Sequence, residues 1–123
     1  WIDVQTIADL EEISFEFKDR NVGKLRVATK YPNLSNEFLL SKGLNQYKIV
    51  NSLGSTEVYP FTGQSEIVTD ITSTGETLKA NKLRVLKDGI ILKSSACILV
   101  SKKSLRNKYL KNKINQLLKK IKL

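Results

Sequence analysis

Within this chain of 123 residues, the residue types best suited to chemistry run Asp70-Ile71-Thr72-Ser73-Thr74-Gly75-Glu76-Thr77-Leu78. A carboxylate stands at the expected carboxyl end of a strand. Three consecutive hydroxyls, a glycine and a fourth hydroxyl follow, where a helix is expected to start. Backbone N–H groups at a helix N-terminus lack intrahelical partners and carry partial positive charge. Gly75 lets the backbone approach an anion closely, and Ser73, Thr74 and Thr77 can add hydroxyl donors. Phosphate is the natural guest of such a cradle, and Asp70, able to accept hydrogen bonds from sugar hydroxyls, extends the fit to a sugar phosphate. Spacing alone leaves a second reading open, an ordinary strand-to-helix turn capped by Ser or Thr.

Presenting this loop at the carboxyl edge of a sheet requires strands that alternate with helices. From Ile2 to Arg20, Ile7, Leu10, Ile13 and Phe17 recur at near-helical spacing, Thr6 and Asp9 form an N-capping pair, and the helix is expected to end near Asn21 to Gly23. Lys24 to Tyr31 reads as a strand stopped by Pro32 and Asn33, and Leu34 to Lys42 as a helix closed by Gly43. Tyr47 to Asn51 is a second strand, followed by a turn at Gly54 to Glu57 and a stretch that Pro60 and Gly63 keep short. Glu66 to Ile71 is a third strand and Thr77 to Asn81 a short helix. Leu83 to Leu86 and Ile90 to Val100 are further strand candidates, and a boundary is placed near Leu92 to Ser95. The pattern predicts an α/β fold with a mainly parallel sheet.

The chain has a single cysteine and no histidine, which excludes a disulfide framework, a Cys/His zinc site, a Ser-His-Asp triad and a Cys-His pair. Cys97, inside an apolar run, reads as a small buried core residue. No apolar stretch approaches the roughly 20 residues that span a bilayer, so no membrane span is expected and the setting reads as soluble and cytoplasmic. The chain starts at Trp1 and contains no methionine, so it reads as part of a longer protein.

The formal charge of +9 belongs to one segment: nine basic residues from Lys102 to Lys122 face no acid after Asp88. Leu105, Tyr109, Leu110, Ile114, Leu117, Leu118 and Ile121 recur there at steps of three and four, the apolar stripe of an amphipathic basic helix. One reading is a terminal helix docked on its own domain with a solvated lysine face. The other is a helix that binds nucleic acid or a membrane surface, against which stand a single aromatic, Tyr109, and a single arginine, Arg106.

The Asp70 to Leu78 segment resembles the Asp-Ile-Thr/Val-Ser-Thr-Gly-x-Thr-Leu signature of the ATP phosphoribosyltransferases of histidine biosynthesis. Arg26-Val27-Ala28-Thr29-Lys30-Tyr31-Pro32-Asn33-Leu34, Gly54-Ser55-Thr56-Glu57, Leu78-Lys79-Ala80-Asn81 and Ser94-Ser95-Ala96 are similar to that family's motifs in the same order. The opening Trp1 to Leu10 is similar to the start of the second domain in some of these enzymes.

The resemblance implies a periplasmic-binding-protein-like lobe plus a C-terminal amphipathic basic helix. Residues 1–92 would form the second lobe, which binds phosphoribosyl pyrophosphate, and residues 93–123 a strand and helix returning to a first lobe missing from this chain. The implied reaction transfers 5-phosphoribosyl from phosphoribosyl pyrophosphate to N1 of ATP with Mg²⁺ and releases pyrophosphate. It would assign Thr72, Ser73, Thr74, Gly75 and Thr77 to the ribose 5-phosphate, Asp70 and Glu57 to ribose hydroxyls, and Lys30 and Tyr31 to the nucleotide wall. Glu76 would bring a negative charge close to the phosphate unless its side chain points to water. No acid/base or nucleophilic residue is expected, and no metal ligand is assigned. The short, catalytic-subunit form implies a homo-oligomer working with a regulatory subunit that resembles histidyl-tRNA synthetase. The alternative from another class is a non-catalytic α/β module that binds an anionic ligand or nucleic acid through its basic tail.

Overall fold

Four of the five residues of strand β1 (Leu25–Thr29) are buried, as suits a central strand covered on both faces. On its two sides lie β2 (Tyr47–Asn51) and β3 (Ile67–Thr69), both parallel to it, in the order β2-β1-β3. The register pairs Thr29 with Asn51 and with Thr69, so all three strands end level at one edge. Parallel neighbours cannot be joined by a tight hairpin, so each connection crosses over. The first does so through helix α2 (Pro32–Ser41), the second through a 3-10 turn (Thr56–Val58). The computed structural model describes residues 3–19 and 23–121, and falls into two compact units, Trp1–Lys93 and Ser94–Leu123.

Helix α1 (Ile7–Asp19) starts at a reciprocal cap: the N–H of Asp9 donates to Thr6 Oγ1 (3.2 Å), while the N–H groups of Gln5 and Thr6 donate to Asp9 Oδ2 (2.7 and 2.8 Å). Those backbone donors hold the Asp9 carboxyl below the ordinary carboxylate range. The sequence placed the end of this helix near Asn21 to Gly23, and of these Asn21 and Val22 lie outside the described residues. Ile7 and Leu10 of α1 pack with Val4, Leu25, Val27, Leu39 and Leu44 to form the core, and Ile13, Phe17, Ile49, Ile67 and Leu86 close around it.

Pro32 opens α2 instead of holding it off until Leu34, because proline at the first helical position already has a helical φ and gives up an N–H that would have no partner there. The helix ends as expected at Gly43, whose φ of 87° is the left-handed conformation glycine adopts most easily. The N–H of Leu44 returns to the carbonyl of Leu39, and that of Gly43 to Leu40, both at 3.0 Å.

Three expectations need correction. Leu83 to Leu86 and Ile90 to Val100 carry strand-type sequences, yet neither forms a strand among the described residues, because a strand needs a neighbour to take up its backbone hydrogen bonds and none lies beside them. Cys97, expected in the core, is exposed, because the run that holds it packs into no sheet. The basic segment is two helices, α4 (Lys102–Arg106) and α5 (Lys108–Lys120), where a single stripe implied one. Asn107 breaks them by taking an extended conformation, and its Oδ1 caps α5 by accepting from Leu110 N–H at 3.2 Å. The stripe along them stays open to solvent, with Tyr109 67% and Leu117 56% exposed. Among the described residues no helix is long and apolar enough to cross a membrane.

Candidate functional site

Because the strands end level, their loops gather at the same carboxyl edge, where ligands of parallel α/β sheets bind. Lys30 and Tyr31 follow β1, Ser52 to Glu57 follow β2, and Asp70 to Thr77 follow β3 into helix α3 (Glu76–Ala80). The topology thus collects every site residue read from the sequence onto one edge. Lys30, Tyr31, Asp70, Thr72, Ser73, Thr74 and Thr77 are exposed there, and Glu57 and Gly75 are half-buried.

The hydroxyl loop is not the Ser/Thr-capped turn that spacing left open. The N-cap of α3 is Gly75 itself, in the left-handed region at φ 77°, with no side-chain capping bond. A Cβ built on Gly75 would meet no atom within 4 Å, so it is the backbone conformation, not crowding within the chain, that calls for glycine. Thr74 Oγ1 accepts a long bond from Glu76 N–H (3.4 Å), and Asp70 Oδ1 accepts from Ile71 N–H (2.8 Å). The hydroxyls of Thr72, Ser73 and Thr77 make no hydrogen bond among the described residues and remain available to a ligand. Glu76, in the first turn of α3, is exposed, which leaves its carboxylate free to turn to water.

Beneath the loops lies a layer of hydroxyl groups that the sequence reading missed. Thr29 Oγ1 and Ser35 Oγ lie 3.0 Å apart, Ser35 Oγ and Thr69 Oγ1 2.5 Å apart, and Tyr31 N–H donates to Thr29 Oγ1 at 2.9 Å. On the β2 side Thr56 Oγ1 donates to Ser52 Oγ at 3.0 Å, and Ser52 N–H donates to the Thr29 carbonyl at 2.9 Å. Thr29, Ser35 and Thr56 are fully buried and Ser52 nearly so. The only signal for them in the sequence is positional: Lys30, Glu57 and Asp70 each follow a threonine directly.

An ion pair sits at the opposite, amino end of the sheet. There the Arg26 guanidinium pairs with Glu66, whose Oε2 also accepts the Arg26 backbone N–H at 2.7 Å. Burial pushes the Glu66 carboxyl up, but the bonds from Arg26 outweigh it and hold the group below the ordinary glutamate range; the same contact raises Arg26. This pair staples β1 to β3 and lies away from the candidate site. Among the described residues no three Asp, Glu, Cys or His side chains cluster to hold a metal ion.

Fold and site together define an α/β domain that presents a hydroxyl-rich, glycine-hinged loop beside a carboxylate at the carboxyl edge of a parallel sheet. The chain belongs to the ATP phosphoribosyltransferase (HisG) family, whose model matches residues 2–123. Among its relatives are ATP phosphoribosyltransferases of Chelativorans sp. (strain BNC1), 52% identical over 104 residues that make up 84% of this chain and 45% of the relative, and of Mesorhizobium japonicum, 49% identical over 85% of this chain and 45% of the relative. A solved structure titled as the ATP phosphoribosyl transferase (HisG:HisZ) complex from Thermotoga maritima is 34% identical, covering 80% of this chain and 46% of that one with a TM-score of 0.49. The chain spans about half the length of the curated relatives it matches.

Proposed function

We propose that this chain supplies the phosphoribosyl pyrophosphate-binding lobe of an ATP phosphoribosyltransferase, the enzyme that commits ATP to histidine synthesis. The observation that carries the reading is the Asp70 to Leu78 segment. In a chain of this family, its hydroxyls stand exposed at the carboxyl edge of the sheet, and apart from the long contact of Thr74 to Glu76 N–H they are not engaged by the start of α3. Residues 1–92 form the second, periplasmic-binding-protein-like lobe, and residues 93–123 belong with the first.

In this reading Thr72, Ser73, Thr74, Gly75 and Thr77 hold the ribose 5-phosphate through hydroxyl and backbone N–H donors. Asp70 and Glu57 accept from ribose hydroxyls, and Lys30 and Tyr31 wall the nucleotide. The adenine N1 bonds to ribose C1 as the C1–O bond to pyrophosphate breaks, and the bonding pair leaves with pyrophosphate. No side-chain nucleophile is needed: the chain's work is to fix the ribose so that C1 faces the incoming nitrogen.

Magnesium holds phosphates through one or two carboxylates plus phosphate oxygens, so in this reading the cation arrives shared with the substrate, and Asp70 and Glu76 are the carboxylates that the loop segment itself could offer it. When bound, the cation neutralises charge on the departing pyrophosphate. The full enzyme is read as a cytoplasmic homo-oligomer with a regulatory subunit that resembles histidyl-tRNA synthetase.

Calorimetric titration of the chain with Mg²⁺ and phosphoribosyl pyrophosphate, beside Gly75→Val, tests the reading. Binding by the parent that Gly75→Val abolishes is expected. Equal binding by both overturns the site assignment.

A further inference from the structure

We infer that Ser35, which no motif in the chain singles out, is a positioning residue that sets the place of the Asp70 loop from beneath. Ser35 sits in the first turn of α2, fully buried, and its Oγ touches two strand-end hydroxyls at once, Thr29 Oγ1 at 3.0 Å and Thr69 Oγ1 at 2.5 Å. A helical serine ordinarily turns its hydroxyl back onto a carbonyl of the preceding turn. Here the carbonyl of Tyr31 serves the Ser35 N–H (2.9 Å), and the Ser35 hydroxyl is left to bridge the ends of β1 and β3.

A hydroxyl has one proton and two acceptor sites, so a serine between two threonines can donate to one and accept from the other. That locks the two threonines in relative position, whichever way the protons run. The backbone pairing of β3 ends at Thr69, and Asp70 is the next residue. Beyond it, among the described residues, the hydrogen bonds within the loop are the Asp70 contact to Ile71 N–H and the long Thr74 contact to Glu76 N–H. The Ser35 to Thr69 bond is therefore the last tie between the loop and the body of the domain before α3. On the other side, Thr29 Oγ1 fixes the N–H of Tyr31 and Thr29 directly precedes Lys30. One buried hydroxyl thus sets the spacing between the Lys30–Tyr31 turn and the Asp70 loop. An apolar side chain would fill the space without setting a direction.

The consequence for ligand binding rests on the proposed phosphoribosyl pyrophosphate site; the positioning itself does not. The test compares Ser35→Ala, Thr69→Val and Thr69→Ser in the whole 123-residue chain by amide hydrogen exchange and by calorimetric titration with Mg²⁺ and phosphoribosyl pyrophosphate. Thr69→Val keeps the shape and loses the hydroxyl, whereas Thr69→Ser keeps the hydroxyl.

Ser35→Ala and Thr69→Val are each expected to speed exchange at the hydrogen-bonded amides of the two loops, Ile71 and Tyr31, by about tenfold, the factor that corresponds to one lost hydrogen bond. Exchange at the core amides of Val27 and Ile49 should hold, and Thr69→Ser should behave as the parent. Affinity for phosphoribosyl pyrophosphate should fall by about the same factor in the two hydroxyl-deleting variants. Unchanged exchange in the loop overturns the inference. So does acceleration spread evenly through the core, or damage by Thr69→Ser equal to that of Thr69→Val. If the parent chain binds no phosphoribosyl pyrophosphate, the proposed ligand falls, and the exchange data still decide the role of Ser35.

Discussion

The carboxylate of Asp88 accepts the backbone N–H of Ile7 at 3.0 Å, joining residues 81 positions apart in the chain. It works beside the local Thr6–Asp9 cap: one carboxylate comes from the helix itself and the other from the segment after α3. Lys87 N–H donates to the Gln5 carbonyl (2.9 Å) and the Arg84 guanidinium to the Val4 carbonyl, so the segment from Arg84 to Asp88 forms a strap over the start of α1. This strap occupies part of the stretch where the sequence suggested another strand.

Asp88→Ala is expected to lower unfolding stability by about 1 kcal/mol, the usual loss when a helix N-terminus gives up a side-chain acceptor. Asp88→Asn, which keeps an oxygen in place, should lose less. Urea denaturation followed by far-UV circular dichroism checks both, and equal midpoints for the alanine variant and the parent would show that the strap adds nothing.

Glu66 carries a pH dependence whose sign follows from its lowered pKa. The unfolded chain binds the proton more readily than the folded one. The stabilisation is therefore complete above the ordinary glutamate range and is lost as pH falls through the lower, folded value. Glu66→Gln should cost about 1 kcal/mol at neutral pH, a modest figure because more than a third of the Arg26 side chain is open to solvent. It should also flatten the acid limb of a plot of stability against pH. Asp9, lowered by its backbone donors, will keep part of that limb in the variant.

Gly75 and Gly43 share a left-handed backbone, with φ of 77° and 87°, and a Cβ on either would meet nothing within 4 Å. Alanine at either position should thus cost a similar stability, about 1 kcal/mol of backbone strain. Only Gly75→Ala should also weaken binding of phosphoribosyl pyrophosphate, because only there would the added methyl stand between backbone and phosphate. Calorimetry on the matched pair separates strain from ligand contact. Equal affinity in the two variants would argue against close phosphate approach at Gly75.

Asn107 both ends α4 and begins α5, and its Oδ1 accepts from Leu110 N–H at 3.2 Å. Asn107→Ala should destabilise α5 by about 1 kcal/mol, read as lost helical circular dichroism during a thermal scan. Asn107→Asp or Asn107→Ser should restore most of the signal, since either supplies a capping oxygen.

The sequence by itself determined the local elements whose causes are local. Tyr47 to Asn51 is a strand as read, Gly43 ends α2, Thr6 and Asp9 cap α1, and the parallel character of the sheet followed from strands alternating with helices. The Asp70 to Leu78 loop was legible too, because its residue types are unusual together and their order matches a family pattern. Periodicity, capping and turn chemistry act over a few residues, so they can be read without knowing what lies elsewhere.

Tertiary structure alone decided what depends on a partner distant in sequence. Ile90 to Val100 looks like a strand, but a strand exists only where a neighbour takes up its hydrogen bonds, and Cys97 lost its expected burial for the same reason. Thr29, Ser35 and Thr69 look like ordinary polar residues until the register brings their hydroxyls together beneath the site. Asp88 reads as one more loop acid until the chain folds it over Ile7. In each case residue type fixes what a group can donate or accept, and only the folded chain supplies the group that meets it.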